Sequence, residues 1–169
     1  MKSLQIISNY NIEPLERILK KQQKNIKINK FIYSSIFSQL NSKNDTDYIL
    51  IMATAESLFS SVNKFKTENT IDYSSLNKEI NNFVNLISNK YNNNQVFLLS
   101  FCDITDTFFS NLSFYKNDNS ESYLFNYINN KISDKTKKYS NIHIIDQNKI
   151  LLNFKKKFLN FNFLFFSKF

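Results

Sequence analysis

The sequence predicts an α/β fold: a five-stranded, mostly parallel sheet in a three-layer α/β/α sandwich. Three observations predict it. Five short apolar segments recur, near 4–7, 26–32, 48–52, 95–101 and 141–146. Stretches of helical spacing separate them, and alternation at this interval implies parallel pairing with helices on both faces. The run Val96-Phe97-Leu98-Leu99 is continuously apolar, as a parallel strand covered on both sides is.

The elements follow in order. Leu4-Gln5-Ile6-Ile7 reads as a buried strand. Asn9 or Asn11 then caps a helix with Pro14 in its first turn, and Leu15, Ile18 and Leu19 share one face. Lys20 and Lys21 suit the negative end of that helix. Ile26, Ile28, Lys30 and Ile32 alternate with their neighbours as in a more exposed strand. A short helix over 33–40 turns Ile36, Phe37 and Leu40 inward, and Tyr48-Ile49-Leu50-Ile51-Met52 forms the next buried strand.

The clearest helix spans 73–91, where Leu76, Ile80, Phe83, Val84 and Ile87 recur at spacings of three and four. Asp72 is its cap, and Asn92-Asn93-Asn94 stops it. The strand over 95–101 follows, and then a polar loop over 103–120. A helix over 122–138 points Leu124, Tyr127, Ile128 and Ile132 inward. The last strand, 141–146, ends in Asp146, and one further helix begins near Lys149.

Composition narrows the chemistry. The chain of 169 residues suits one domain with a sizeable core. It contains no glycine, one proline and one arginine, but 18 phenylalanines. That pattern is read as coding bias, which also discounts the net charge of +8. Without glycine there is no Walker loop, Rossmann fingerprint or glycine-flanked nucleophile elbow. Turns fall to Asn and Asp instead, as at Asn117-Asp118-Asn119. Cys102 and His143 are each the sole residue of their kind, so no internal disulfide and no cysteine or multi-histidine metal cluster is expected. No cofactor is expected. The amino terminus reads as a strand rather than a signal peptide, and no apolar run approaches a membrane span, so the expected location is the cytoplasm.

A family resemblance enters with the first turn. Ile7-Ser8-Asn9-Tyr10-Asn11-Ile12-Glu13-Pro14-Leu15 resembles the start of FkbH-like proteins, where a strand ends in a Ser-Asn-aromatic turn before a helix opened by Pro-Leu. Asp47-Tyr48-Ile49-Leu50-Ile51 is similar to that family's Asp-Val-Val-hydrophobic strand. Asn141-Ile142-His143-Ile144-Ile145-Asp146-Gln147-Asn148 is similar to its late strand ending in aspartate. Phe165-Phe166-Ser167-Lys168-Phe169 resembles the segment leading into its next domain. The likeness spans nearly the whole chain.

The resemblance implies an SGNH-hydrolase-like, flavodoxin-like domain over 1–153 and a Phe/Lys-rich linker or docking tail over 154–169. It implies a haloacid-dehalogenase-type (HAD) catalytic domain as partner, downstream or in trans, where this chain stops. In the family that second domain is tied to loading a glyceryl unit onto an acyl carrier protein, in surface-polysaccharide and polyketide pathways. An acyl carrier protein is therefore a second candidate partner.

Catalytic motifs are incomplete. A dehalogenase-type site needs Asp-x-Asp-x-Thr, with a nucleophilic first and an acid–base second aspartate. Asp103-Ile104-Thr105-Asp106-Thr107 has threonine at the third position and reads as a polar loop. An SGNH hydrolase needs a serine after the first strand and a late Asp-x-x-His. Here Ser8 or Tyr10 takes the nucleophile position, depending on register, and His143 precedes Asp146 in the reverse order. Glu56, after the third strand, is a candidate base or a helix-cap residue. Ser8 and Asn9, at a strand's carboxyl end before a helix, are the best candidates. They would either bind an anion through free backbone amides or simply cap the helix. His143 is read first as a structural histidine on a strand face.

The leading reading is a non-catalytic scaffold or partner-binding domain of an FkbH-like system. The alternatives are a divergent SGNH-type esterase using Ser8 and a basic nucleic-acid-binding protein. Lys131, Lys135, Lys137, Lys138, Lys149 and Lys155-Lys156-Lys157 cluster late in the chain, but arginine is nearly absent and no nucleic-acid module appears. A solvated face is the reading preferred over nucleic acid.

Overall fold

The computed structural model describes residues 2–23, 25–30, 35–42, 45–68, 70–102 and 120–150. Five strands, β1 (Lys2–Ser8), β2 (Ile26–Lys30), β3 (Tyr48–Met52), β4 (Gln95–Leu99) and β5 (Ile142–Ile145), form one sheet in the order β2-β1-β3-β4-β5. Every pairing is parallel. The predicted fold class is thus the observed one.

The connecting helices are α1 (Glu13–Gln22), α2 (Ile36–Asn41), α3 (Ala55–Leu58), α4 (Ser60–Glu68), α5 (Tyr73–Lys90) and α6 (Glu121–Thr136). Residues 147–150 form a further helical turn, capped by Asp146, whose carboxylate accepts from the Lys149 amide at 3.2 Å. The expected helix near Lys149 thus starts slightly earlier, and residues 151–154 lie outside the described residues.

The strand period of two divides the core. Ile7, Ile49, Ile51, Val96, Leu98 and Ile142 point to one face, where they meet buried residues of α2 through α6. Leu4 and Ile6 point to the other, where they meet Ile12, Leu15 and Leu19 around α1. The connection β1–α1–β2 steps one way along the sheet and the later ones step the other, so right-handed crossovers place α1 opposite the rest.

Local signals explain most elements. Leu76, Ile80, Phe83, Val84 and Ile87 are all buried on α5, as their spacing predicts. Asp72 caps it, accepting from the Ser74 and Ser75 amides. Ser120 caps α6 through the Tyr123 amide. At the amino ends of the strands, the Asn141 side chain donates to the carbonyls of Tyr91, Asn92 and Asn94. It thereby ties the turn after α5 to the start of β5, work that a glycine turn does elsewhere.

The structure departs from expectation in four places. Ile18 is 50% exposed, because α1 presents only Leu15 and Leu19 to the sheet. Phe37 is 46% exposed, because α2 is short and seats Ile36, Gln39 and Leu40 instead. Asn9 does not cap α1; the Asn11 side-chain Oδ1 accepts from the Glu13 amide, and Asn9 turns to Thr54. Finally, α3 and α4 occupy the stretch between β3 and α5, where the sequence predicts no helix. Val62 and Phe65 bury the inner side of α4. The Asp103–Thr107 run, the loop read over 103–120 apart from Ser120, and the Phe/Lys-rich segment lie outside the described residues.

Candidate functional site

In a sheet ordered β2-β1-β3-β4-β5 the chain leaves β1 in one direction and passes through β3 in the other. Ligands of such sheets bind at the carboxyl ends where the direction reverses. Here that point lies between β1 and β3, at Ser8-Asn9-Tyr10 and Ala53-Thr54. Ser8 and Asn9, the best candidates from the sequence, stand at this end of the sheet. What the structure puts there is a set of side-chain amides bonded to backbone.

Gln39, from α2, reads the backbone of Ser8 on both sides. Its Oε1 accepts from the Ser8 amide at 3.0 Å, and its Nε2 donates to the Ser8 carbonyl at 3.0 Å. Asn9 does the same between loops: its Oδ1 accepts from the Thr54 amide, and its Nδ2 donates to the Thr54 hydroxyl, both at 3.1 Å. Beyond β4, Asn129 of α6 accepts from the Phe101 amide at 2.9 Å and donates to the Phe101 carbonyl at 2.7 Å. Three amides from α2, the β1 turn and α6 thus occupy backbone groups past β1, β3 and β4.

This arrangement removes the free amides expected beside Ser8. The Ser8 N–H goes to Gln39, and the Tyr10 N–H goes to the Ser8 hydroxyl at 2.9 Å. The Thr54 and Glu13 N–H groups go to Asn9 and Asn11. An oxyanion hole needs such donors preorganised and open; these four are spent on protein acceptors.

The candidate catalytic side chains are not brought together. The Ser8 hydroxyl is engaged with Tyr10 backbone, the N–H at 2.9 Å and the carbonyl at 3.5 Å. His143 stands three strands away on β5, about 14 Å off at the usual strand spacing. Its Nε2 bonds Gln95 Oε1 at 2.8 Å, and its ring stacks on Phe97 at 5.2 Å. Asp146 caps the turn after β5. A nucleophile, its base and the orienting acid must lie in mutual hydrogen-bond reach, and Ser8, His143 and Asp146 do not.

Glu56 and Tyr10 come closer to one another. Burial pushes the Glu56 carboxyl up. Hydrogen bonds from Lys66 and from its own amide, with the Lys66 charge, outweigh that and hold it below the usual carboxylate range. Lys66 also reaches Glu121 at 3.3 Å, so the pair links α3, α4 and α6. Partial burial raises the Tyr10 hydroxyl, with Cys102 and Glu56 adding to the effect. A charge-paired, ionised Glu56 suits a structural tie better than a base.

A groove of about 570 Å³ opens beside this rim, with Phe37, Leu58, Phe83 and Leu86 among its walls. Its second carboxylate, Glu79, is bonded to the Ser60 hydroxyl and the Ser61 amide, so it caps α4. Among the described residues no three His, Cys, Asp or Glu side chains are grouped to hold a metal ion, and no helix is long and apolar enough to cross a membrane.

Sequence reasoning missed Gln39, Asn129 and the pairing of Asn9 with Thr54. A signal existed for Gln39, which lies three residues after Ile36 and beside Leu40, on the buried stripe of α2. Asn129 gave none, since its partner lies 28 residues away.

No protein-family model matches the chain, and no curated protein does. Among solved structures it is similar to the N-terminal part of the protein BF1531 from Bacteroides fragilis, containing a phosphatase domain and complexed with Mg. The TM-score is 0.67 at 17% identity, over 93% of this chain and 43% of that one. At that identity the likeness shows the fold. The chain spans less than half the length of this structural neighbour.

Proposed function

We propose that the chain is a non-catalytic scaffold or partner-binding domain that holds a phosphatase-type catalytic domain, supplied downstream or by another chain. One observation carries this reading. Among the described residues of the carboxyl rim, Gln39, Asn9 and Asn129 take up the Ser8, Thr54 and Phe101 amides, donors that a catalytic rim leaves open. Its similarity to the N-terminal part of a phosphatase-domain protein supports the choice of partner. The finer form is an FkbH-like system in the cytoplasm, in which the partner carries Asp-x-Asp-x-Thr and acts in glyceryl or acyl transfer to an acyl carrier protein.

The coding sequence following or neighbouring this one is expected to encode such a domain. Co-expression of the two is expected to yield one complex in size-exclusion chromatography. A genome with no Asp-x-Asp-x-Thr domain that co-purifies with the chain overturns the proposal. The rival reading, an esterase using Ser8, predicts a different result. Hydrolysis of a generic aryl ester would fall to background in Ser8→Ala, whereas the scaffold reading expects equal background rates in both proteins.

A further inference from the structure

Helices α5 and α6 pack side by side. They lead into β4 and β5, which are parallel neighbours, so the two helices run in the same direction. Between their later turns lies an open furrow of about 340 Å³. Asn81 and Asn85 of α5 line one side, and Lys135, Lys138 and Tyr139 line the other.

The α5 side is a row of amides. Asn77, Asn81 and Asn85 recur at every fourth residue and share a face. Asn77 Oδ1 accepts from the Tyr127 hydroxyl at 3.0 Å. Asn81 and Asn85 are exposed, and their side chains bond no other described residue.

The α6 side is cationic. Lys131, Lys135 and Lys138 recur at spacings of four and three. Lys131 Nζ stands 5.4 Å from the centre of the Tyr127 ring, and Lys138 Nζ stands 5.0 Å from that of Tyr139. Both ammonium groups are thereby held at the furrow. Among the described residues neither they nor Lys135 pair with a carboxylate. Asp134, the carboxylate lining the furrow, is bonded to Lys137 at 2.6 Å. That bond chiefly holds the Asp134 carboxyl below the usual range, and the Lys131 and Lys135 charges add to it. Four lysines thus stand against one aspartate. Compensation of the helix end explains lysines in the last turn of α6, but Lys131 precedes that turn.

We propose that this furrow docks an acidic helix of a partner protein, with carboxylates at spacings of four and three meeting Lys131, Lys135 and Lys138. The proposal rests on the partner-binding reading above and names the chemistry of the contact. At helical rise the three lysines are spaced about 6 and 4.5 Å along α6, a period that a second helix shares. Complementary charge of this kind steers encounter and fixes register. Nucleic acid suits the furrow less well. Tyr127 is engaged by Tyr73 and Lys131, and Tyr139 by Lys138, rather than left open for base stacking. The sole arginine, Arg17, lies on α1.

The test is fluorescence anisotropy of the full chain with a labelled synthetic helical peptide carrying glutamates at spacings of four and three. Saturable binding at low salt is expected. Lys131→Gln with Lys135→Gln and Lys138→Gln should weaken it about tenfold. Lys21→Gln with Lys27→Gln and Lys64→Gln, of the same net charge, should leave it unchanged. Asn81→Asp with Asn85→Asp should weaken it from the other side of the furrow, which keeps the test decisive if the first triple disturbs α6 by circular dichroism. Non-saturating binding overturns the proposal. So does equal weakening by both lysine triples, or equal affinity for a peptide of the same composition with its glutamates scrambled. An oligouridylate bound more tightly through the same lysines makes RNA the occupant and also overturns it. The assay uses this chain alone, so its failure leaves co-purification with a phosphatase-type domain standing, and failed co-purification leaves the assay standing.

Discussion

Replacing Gln39 with leucine keeps most of the side chain's bulk and removes both atoms that bond Ser8. Gln39 is 2% exposed, and each of its bonds is 3.0 Å. A buried polar group left without a partner costs about 1–3 kcal/mol. Two groups are orphaned, but Ser8 is only half-buried, so water reaches part of the gap. The added apolar burial of leucine offsets roughly 1 kcal/mol. The net expected loss is about 2 kcal/mol, equivalent to a fall in Tm of about 4–8 °C for a domain of this size. Urea titration is the assay: the midpoint should fall with an unchanged m-value, since the folded surface is the same. Hydrogen exchange at the Ser8 amide should accelerate more than exchange in α5. A midpoint equal to wild type, with the Ser8 amide still protected, would refute the idea that Gln39 seals this strand end.

Two further outcomes are expected. Phe59 is fully buried and meets Phe83 and Phe101 edge-to-face at 5.9 and 5.8 Å; Phe59→Ala should cost about 3–5 kcal/mol in the same titration. The Glu56–Lys66 pair sets an acid-side dependence. Glu56 is depressed in the folded chain, so its contribution is present above the unfolded carboxylate pKa and is lost as pH falls through the folded value. Lys66 is raised, chiefly by its bond to Glu56, so its share persists below the ordinary lysine pKa and is lost as pH rises through the folded value. Glu56→Gln should flatten the acid limb of a stability–pH curve, by about 1 kcal/mol or less because Lys66 is partly exposed.

The strands were legible because β1, β3, β4 and β5 are short, mainly apolar runs and β2 alternates apolar with polar residues. Helix α5 was legible because its stripe is long and its ends are marked by Asp72 and the Asn run. Helices α3 and α4 were not, since Val62 and Phe65 supply too little periodicity among Ser, Asn and Lys to stand out. Ile18 and Phe37 were placed inward because spacing marks a stripe without fixing its width. The site was half legible. Position came from strand ends, which are local, whereas the use of Ser8 and Asn9 depended on Gln39 and Thr54, which chain distance hides. A glutamine on a short helix reads as a solvated residue until the neighbouring strand end is seen.

The interior place of β1 has a consequence for synthesis. The first strand made gains β2 on one flank early, but its other flank stays bare until β3 emerges. At about 5–20 residues per second, synthesis from the end of β2 at Lys30 to the end of β3 at Met52 takes roughly one to four seconds. From β3 onward, each newly made strand is laid against the one before it, and the structure grows from a single margin. A ribosome that stalls before β3 would release a chain whose oldest strand is still open to any passing polypeptide.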